Sequence, residues 1–267
     1  MTSSLLWQIV HPSVSHPSYL FGTMHRRPRL PADWMAPLEP FIFACDQLAT
    51  EFDLNATDTQ LIQWYSQLPD GQTWTDFVSA KKLDKWQPVF QKAANLDARP
   101  FYSFKPFVFL NQLTERLLAP NGQLTSMDQE LFERATAFDK PRIGIEAFGE
   151  QLAVLDRISL TAQFKNLERA ARNIRQFRLH QQRLSDLYLR GEIDKIYQLS
   201  KRGLGKLRYP LLHRRNAVMT ERFVAIIAEK TLFCAVGAGH LAGKRGLLRG
   251  LKLAGCKVCS VPFSLTT

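Results

Sequence analysis

A four-residue pattern, Gly-x-x-His, occurs twice near opposite ends of the 267-residue chain. Gly22-Thr23-Met24-His25 follows the apolar run Tyr19-Leu20-Phe21, and Gly237-Ala238-Gly239-His240 follows Thr231 to Val236. Each apolar run predicts a buried strand, and each glycine permits a tight exit from it. Ligands of open α/β sheets bind at the carboxyl ends of the strands. The pattern therefore predicts an α/β fold in which His25 and His240 converge on one site.

Two glutamates also lie at the ends of predicted strands. Glu51 lies at the end of the predicted strand Gln47 to Phe52, and Glu146 directly follows the predicted strand Arg142 to Ile145. Leu5 to Val10 and Ser18 to Phe21 complete the N-terminal strands. Four strand ends thus present His25, Glu51, Glu146 and His240.

Helices are predicted between these strands. Residues 57 to 123 read as mostly helical, and a further helix begins near Met127, with Ser126 or Asp128 as its cap. Seven aromatic residues of the first helical stretch are expected to pack into a core, and they are Trp64, Trp74, Phe77, Trp86, Phe90, Phe107 and Phe109.

Five segments carry a resemblance to a known family, and they are Leu20 to His25, Thr50 to Asp53, Ile143 to Glu146, Arg215-Asn216 and Val236 to Gly243. In this order they resemble the TraB/GumN family, which includes the Tiki metalloproteases. The last segment is the most specific, since its eight residues are similar to the family's VGAGHLAG. The resemblance implies a single domain over residues 1–267, with a central mixed β-sheet flanked by helices in an EreA/ChaN-like architecture. Helical insertions are expected at about 57–123 and 150–230.

The same resemblance implies a divalent-metal-dependent hydrolase, and we expect a peptidase that acts on a peptide or protein substrate. His25, Glu51 and His240 form the expected ligand set, and Glu146 is the candidate general base, although the two glutamates can exchange roles. Two imidazoles and one carboxylate leave room for water on the ion. Nitrogen and oxygen ligands suit Mn, Co or Zn, and this ligand set would also suit a non-haem Fe(II) oxygenase. The resemblance favours hydrolysis.

Arg215 is the second catalytic candidate. A guanidinium near a metal can hold a substrate carboxylate or a developing oxyanion through paired donors. The alternative role is a structural ion pair with Glu221 or another acid.

The positive charge of the chain is regional. Residues 165–215 contain 14 Lys or Arg against four acids, a balance of +10 beside the total of +11. An apolar stripe through Phe164 and Leu167 alternates with Lys165, Arg169 and Arg172, which predicts an amphipathic basic helix. Such a surface could attract an anionic partner such as nucleic acid, anionic lipid or an acidic peptide, or it could be a solvated face.

The composition and the first residues of the chain indicate where in the cell the protein is expected. At 45% hydrophobic residues the chain can bury a substantial core, and it contains no run of about 20 apolar residues that a membrane helix needs. The first residues lack the basic and apolar regions of a signal peptide. We therefore expect a cytoplasmic protein without a transmembrane segment. Its four cysteines do not suggest a disulfide framework.

The sequence also allows functions other than that of a hydrolase. The main alternative is a non-catalytic peptide-, haem- or metal-binding protein of the same fold. A third possibility is an adaptor that works through the basic helix. The glycines at 237, 239 and 243 could suggest a dinucleotide-binding turn, but the 24 residues after Gly243 contain no acid to hold a ribose. Neither His-Glu-x-x-His nor a serine nucleophile elbow occurs.

Overall fold

The computed structural model describes residues 4–24, 30–31, 33–55, 59–119, 126–202, 209–263 and 265. The chain divides into two compact units. The first unit comprises Met1–Ala56, Thr125–Val154 and Leu184–Thr267, and the second comprises Thr57–Leu124 and Leu155–Arg183. Residues 184–230, which were expected in an insertion, belong to the first unit. The single-domain organisation stays a prediction.

A mixed sheet forms the first unit. Its six strands within the described residues are β1 (Leu6–Val10), β2 (Ser18–Thr23), β3 (Gln47–Thr50), β4 (Arg142–Gly144), β5 (Leu232–Gly237) and β6 (Lys257–Val261). The spatial order is β4-β3-β5-β2-β1-β6. The strands β4, β3, β5 and β2 run parallel to one another, whereas β1 is antiparallel to both β2 and β6. The predicted α/β class with a mixed sheet is confirmed.

The two strands that precede the Gly-x-x-His motifs are central in the sheet. All six residues of β2 and five of the six in β5 are buried. Phe21 and Phe233 are among the fully buried side chains. Burial of one such side chain contributes about 1.5–3 kcal/mol. Continuous apolar runs are typical of parallel strands that are covered on both faces, which explains why both runs were recognisable.

The pairing of β2 with β5 brings the two motifs to one edge of the sheet. Gly22 lies opposite Val236, and Thr23 lies opposite Gly237. Because the strands are parallel, both motifs leave the sheet at its carboxyl edge. The strand on the other side of β5 is β3, so Glu51 reaches the same edge.

Eleven α-helices lie in the described ranges. They are α1 (Glu39–Phe43), α2 (Thr59–Ser66), α3 (Ala80–Ala94), α4 (Pro106–Leu118), α5 (Met127–Ala137), α6 (Phe148–Leu155), α7 (Leu160–Arg172), α8 (Ile174–Leu189), α9 (Ile193–Arg202), α10 (Arg215–Ile227) and α11 (Leu247–Leu253). Ser126 caps α5 as predicted, since its hydroxyl accepts a hydrogen bond from the Gln129 N–H at 3.4 Å. A π-helical segment, Tyr209–Arg214, leads directly into α10. No helix within the described residues combines the length and hydropathy that a membrane crossing requires.

The second unit is helical and has its own core. Trp74, Phe90 and Phe109 are fully buried in it, and the Trp74 indole N–H donates to the Phe104 carbonyl at 2.7 Å. Trp86 is buried as well, so these four aromatic residues pack as predicted. The prediction for Trp64 is wrong, because its side chain is 68% exposed and its ring contacts that of Tyr65 on the same short helix. Phe77 is also partly exposed, although its ring stacks on that of Phe164, and Phe107 is half-buried.

Candidate functional site

Three predicted site residues lie at the carboxyl ends of neighbouring strands. Glu51 directly follows β3, Glu146 lies two residues after β4, and His240 ends the 3-10 turn that follows β5. The backbone pairing of β3 and β4 continues to the glutamates, since the Glu146 N–H donates to the Glu51 carbonyl at 2.8 Å. The two carboxylates therefore start from adjacent backbone positions. His25, the fourth predicted residue, lies outside the described residues.

Arg215 binds both glutamates. Its Nε donates to Glu146 Oε1 and Oε2 at 3.1 and 2.9 Å. Its Nη2 donates to Glu146 Oε2 at 2.5 Å and to Glu51 Oε2 at 2.6 Å. The arginine is the first residue of α10, and the acids that it contacts are the two candidate glutamates, not Glu221. Arg215 therefore forms an ion pair, which was the alternative role predicted for it. The pair includes Glu51, which also lies close to His240.

Gly237 fixes the position of the Glu51 carboxylate. The Gly237 N–H donates to Glu51 Oε1 at 2.7 Å. A Cβ at position 237 would lie 3.0 Å from this same oxygen and 3.6 Å from the His240 ring. The first glycine of the second motif therefore allows a carboxylate to approach the end of β5 closely.

The charges of the site are strongly coupled. Burial opposes ionisation of Glu51, but the charge that His240 carries once it is protonated at low pH, the charge of Arg215 and the Gly237 N–H outweigh burial and lower the pKa of Glu51 to about 2. Burial and the Arg215 charge lower the pKa of His240 to about 4, against the attraction of Glu51. At neutral pH the site therefore contains an ionised Glu51 and an uncharged imidazole.

Glu146 differs from Glu51 in its electrostatics. Burial is the largest influence, and it raises the pKa of Glu146 although Arg215 acts in the opposite direction. The pKa of Arg215 is raised by its bonds to the two carboxylates, despite burial. Of the two glutamates, Glu146 is the one whose proton affinity is increased.

Asn216 fixes the orientation of His240. Its Oδ1 lies 2.6 Å from His240 Nδ1, and its Nδ2 donates to the Arg245 carbonyl at 2.7 Å. The carbonyl can only accept, so the amide orientation is set, and His240 Nδ1 must donate to Oδ1. The lone pair of the neutral ring is therefore on Nε2, which lies 4.0 Å from Glu51 Oε1.

Sequence reasoning missed Asn216 and two further residues near the motifs. Asn216 was visible in the Arg-Asn pair, although only its neighbour was selected. Asp128 was considered solely as a helix cap, yet it accepts a hydrogen bond from the Thr23 hydroxyl at 2.9 Å. Burial, and then the negative charge of Glu51, raise the pKa of Asp128 to about 7.

Tyr188 is the third of these residues, and it contacts the first motif from α8. Its hydroxyl donates to the Gly22 carbonyl at 2.8 Å, and the side chain is buried. No sequence signal marks this tyrosine, because its contact joins residues 166 positions apart.

The residues that could hold a metal are His240 and Glu51. A metal-binding histidine commonly donates its other ring N–H to an oxygen, as His240 does to Asn216. Two ligands at about 2.1 Å from one ion with tetrahedral geometry lie about 3.4 Å apart, so His240 Nε2 and Glu51 Oε1, at 4.0 Å, would have to approach each other by roughly 0.6 Å to share an ion. Within the described residues, no three His, Cys, Asp or Glu side chains are grouped to hold a metal. His25, the third ligand of the prediction, lies outside those residues.

Most of the basic segment, residues 165–215, lies within the described residues. Lys165, Arg169 and Arg172 are exposed on α7, and Arg175 is exposed on α8. The apolar stripe, with Phe164 and Leu167, is buried in the core of the second unit. The amphipathic pattern is confirmed, although α7 ends at Arg172 and Arg175 lies on a separate helix, α8. The partner of this surface stays a prediction.

Comparison with protein families agrees with the motifs. The model of the TraB/PrgY/gumN family matches residues 5–259. The chain belongs to this family. The TraB/PrgY/gumN match spans every site residue described above, from Thr23 to Arg245. No curated protein and no solved structure matches the chain. The closer likeness to the Tiki branch of the TraB/PrgY/gumN family stays a prediction.

Proposed function

We propose that this TraB/PrgY/gumN protein is a divalent-metal-dependent hydrolase that acts on peptides. The observation that carries the proposal is the state of His240. The imidazole is buried, uncharged at neutral pH, and oriented by Asn216 so that Nε2 lies 4.0 Å from the Glu51 carboxylate. Metal ligands must be deprotonated, and both groups meet that condition.

The expected ligands are His240, Glu51 and His25, with Mn, Co or Zn as the ion. Nitrogen and oxygen donors of this kind suit these metals. When bound, such an ion lowers the pKa of a water molecule and polarises a carbonyl group. The remaining chemistry belongs to the side chains around it.

Glu146 is proposed to accept and return a proton. Its raised pKa brings the carboxyl closer to the operating pH, which favours general acid–base catalysis. The low pKa of Glu51 suits a permanently ionised ligand. These opposite shifts support the assignment of Glu51 as ligand and Glu146 as base.

Arg215 is proposed to orient both carboxylates and to bind an anionic group of the substrate. Its Nε and Nη2 contact the glutamates, whereas Nη1 makes no hydrogen bond to any described residue. The side chain keeps 15% of its surface exposed. A substrate carboxylate or an oxyanion could accept hydrogen bonds from Nη1.

Metal content measured by mass spectrometry tests the site. Wild-type protein grown with Mn, Co, Fe and Zn should contain nearly one ion per chain, and the folded His25→Ala/His240→Ala variant should lose it. His16→Ala is the matched control, since His16 lies exposed in the β1–β2 loop and should leave the metal content unchanged. Metal-free wild type, or a double variant that keeps its metal, would refute the proposal.

Peptide hydrolysis tests the reaction class. A mixture of unlabelled peptides, incubated with each metal and analysed by mass spectrometry, should show cleavage by the wild type. Glu146→Gln should retain metal but lower the cleavage rate by about 100-fold or more, as loss of a general base does. Equal rates for wild type and variant would exclude Glu146 as the base.

A second candidate is a binding protein without catalysis. The observation that favours it is the Arg215 ion-pair cluster, which engages both carboxylates and would compete with metal and substrate. A metal-loaded protein that binds peptides but never cleaves them, with Glu146→Gln binding as tightly as wild type, would support this function.

An anionic partner for the second unit is proposed separately, from the exposed residues of α7 and α8. Arg169→Glu/Arg175→Glu should elute from a heparin column at lower salt than the wild type, because fewer charges attract the polyanion. The matched control is Lys230→Glu/Lys257→Glu, which reverses two exposed charges of the first unit. Equal elution shifts for the two variants would contradict a role specific to this helix face.

A further inference from the structure

A cavity of about 620 Å³ lies in the first unit, next to the second motif but separate from the cluster of Glu51, Arg215 and His240. Its walls are formed by β1, the start of α9, residues 241–244 and α11. Sites for small molecules typically have volumes of about 300–1,000 Å³. The cavity is therefore large enough for a ligand of its own.

The floor of the cavity is apolar. Its buried lining residues are Trp7, Ile193, Leu241, Ala242 and Leu248. The Trp7 indole N–H donates to the Ser4 carbonyl at 3.1 Å, so the indole presents its carbon surface to the cavity. A ligand that fills this space should have an apolar body.

The rim of the cavity is positively charged. Lys244, Arg249 and Lys252 are exposed, and no acid among the described residues pairs with them. Lys195 also lines the rim, but it forms an ion pair with Glu192. Asp194 is the remaining acid of the lining. Three cations thus face one acid.

The arrangement on α11 explains how charge and apolar surface adjoin. Leu248 and Lys252 are four residues apart, and Arg249 and Lys252 are three apart, so these side chains share one face of the helix. Long basic side chains lay their methylene groups on apolar surface and keep their charged ends in water. The face therefore offers a hydrophobic floor with cationic groups at its edge.

We propose that this cavity binds a free single-chain amphiphile with an anionic head group. The chain lies on the floor beside Trp7 and Leu248, and the head group meets Lys244, Arg249 and Lys252. The proposal does not depend on the hydrolase function, because none of the cavity residues belongs to the proposed metal site.

Calorimetric titration with decanoate, kept below its micelle concentration, tests the proposal. Across butanoate, hexanoate, octanoate and decanoate, affinity should rise by up to about fourfold for each methylene group that is buried. Decanol and decyltrimethylammonium should bind more weakly than decanoate, because the rim attracts an anion.

Charge reversal at the rim provides the second measurement. Arg249→Glu/Lys252→Glu should weaken decanoate binding about tenfold, through two solvent-exposed charge contacts. Both residues are exposed, so the fold should be retained. Lys230→Glu/Lys257→Glu, the matched control with the same net charge, should bind decanoate as the wild type does.

Three results would overturn the proposal. They are affinities that do not change with chain length, equal binding of decanoate and decyltrimethylammonium, and equal losses in the rim and control variants. Binding to anionic vesicles without binding to monomeric decanoate would likewise assign the cationic surface to membranes and remove the cavity as a ligand site.

Discussion

Replacement of Arg215 by methionine should destabilise the protein strongly. Methionine has a comparable apolar length but no charge, so the change removes the cation between Glu51 and Glu146 and leaves both carboxylates in place. Only 3% of the Glu146 side chain and 19% of the Glu51 side chain are exposed. Neither carboxylate can therefore recover its full hydration in the folded variant.

The size of the loss follows from this burial. Removal of one partner of a buried ion pair costs about 3–5 kcal/mol, because the other charge remains in a poorly solvated place. The lower end applies here, since Glu51 keeps some contact with solvent and the hydrogen bond from Gly237. A loss of about 3 kcal/mol corresponds to a fall of roughly 6–12 °C in the melting temperature for a chain of this size.

The pH dependence provides a separate signature. In the wild type, the pKa of Glu51 is about 2, below the value of about 4.3 for an unfolded glutamate, so its stabilising contribution exists above pH 4.3 and is lost as the pH falls toward 2. Without Arg215, burial should raise the pKa of Glu146 further above the unfolded value, whereas Glu51 keeps His240 and the Gly237 N–H as stabilising partners. The folded variant then gains protons more readily than its unfolded chain. The difference in the free energy of unfolding between the variant and the wild type should therefore shrink by about 1–2 kcal/mol between pH 7 and pH 5.

Thermal and urea denaturation followed by circular dichroism, in the presence of EDTA, measures these effects without metal. Arg222→Met is the matched control, because Arg222 pairs with Glu150 at the surface, where the side chains are 39% and 47% exposed. That pair should be worth less than about 1 kcal/mol. Addition of Glu51→Gln and Glu146→Gln to Arg215→Met should restore much of the stability, since no buried charge remains.

Similar losses of stability in Arg215→Met and Arg222→Met at pH 7 would show that the buried carboxylates do not depend on the charge of Arg215. A deficit of Arg215→Met that is the same at pH 5 and pH 7 would show that lost packing, not unpaired charge, causes the destabilisation. Failure of the two glutamine substitutions to rescue the variant would lead to the same conclusion.

Three further substitutions test the contacts around the motifs, each by urea denaturation against the wild type. Tyr188→Phe removes the hydroxyl that donates to the Gly22 carbonyl and should cost about 1 kcal/mol; no measurable loss would mean that the bond contributes nothing to stability. Gly22→Ala should cost about 1–3 kcal/mol, because its Cβ would lie 2.7 Å from Leu241 Cδ1, and a neutral result would show that this leucine can move aside. Asn216→Ala should cost about 1–3 kcal/mol, because it leaves the buried His240 ring N–H and the partly buried Arg245 carbonyl without their partner, and it should lower the metal content. Asn216→Asp keeps an acceptor for His240 and should lose less metal; equal metal loss in both variants would exclude the orienting role.

The strands and the residues that follow them could be read from the sequence. The apolar runs before Gly22 and Gly237 are buried on both faces of the sheet, so they lack the alternation of exposed strands and stand out as short continuous segments. Glu51 and Glu146 were selected because each lies at the end of a predicted strand and belongs to a segment that resembles the family. The order of the motifs also identified the family, which the match over residues 5–259 confirms.

The sequence was less reliable where exposure depends on distant packing. Trp64 is a large apolar residue of the kind that is usually buried, yet it lies exposed on a short helix. Residues 184–230 resemble an insertion in composition, but they belong to the unit that contains the sheet. The spacing of apolar residues predicts that a helix has a buried face. It does not predict which of the two units that face will pack into.

The sequence by itself therefore determined the α/β class and the family, and it predicted four site residues at strand ends, because these depend on local hydrophobic runs and the residues that follow them. Only the tertiary structure decided which side chains meet. The insertion of β5 between β3 and β2 brings Gly237 to Glu51, and the start of α10 places Arg215 and Asn216 beside both glutamates and His240. These contacts join residues as far as 186 positions apart, and their distances and pKa shifts arise from burial and charge that no local pattern encodes.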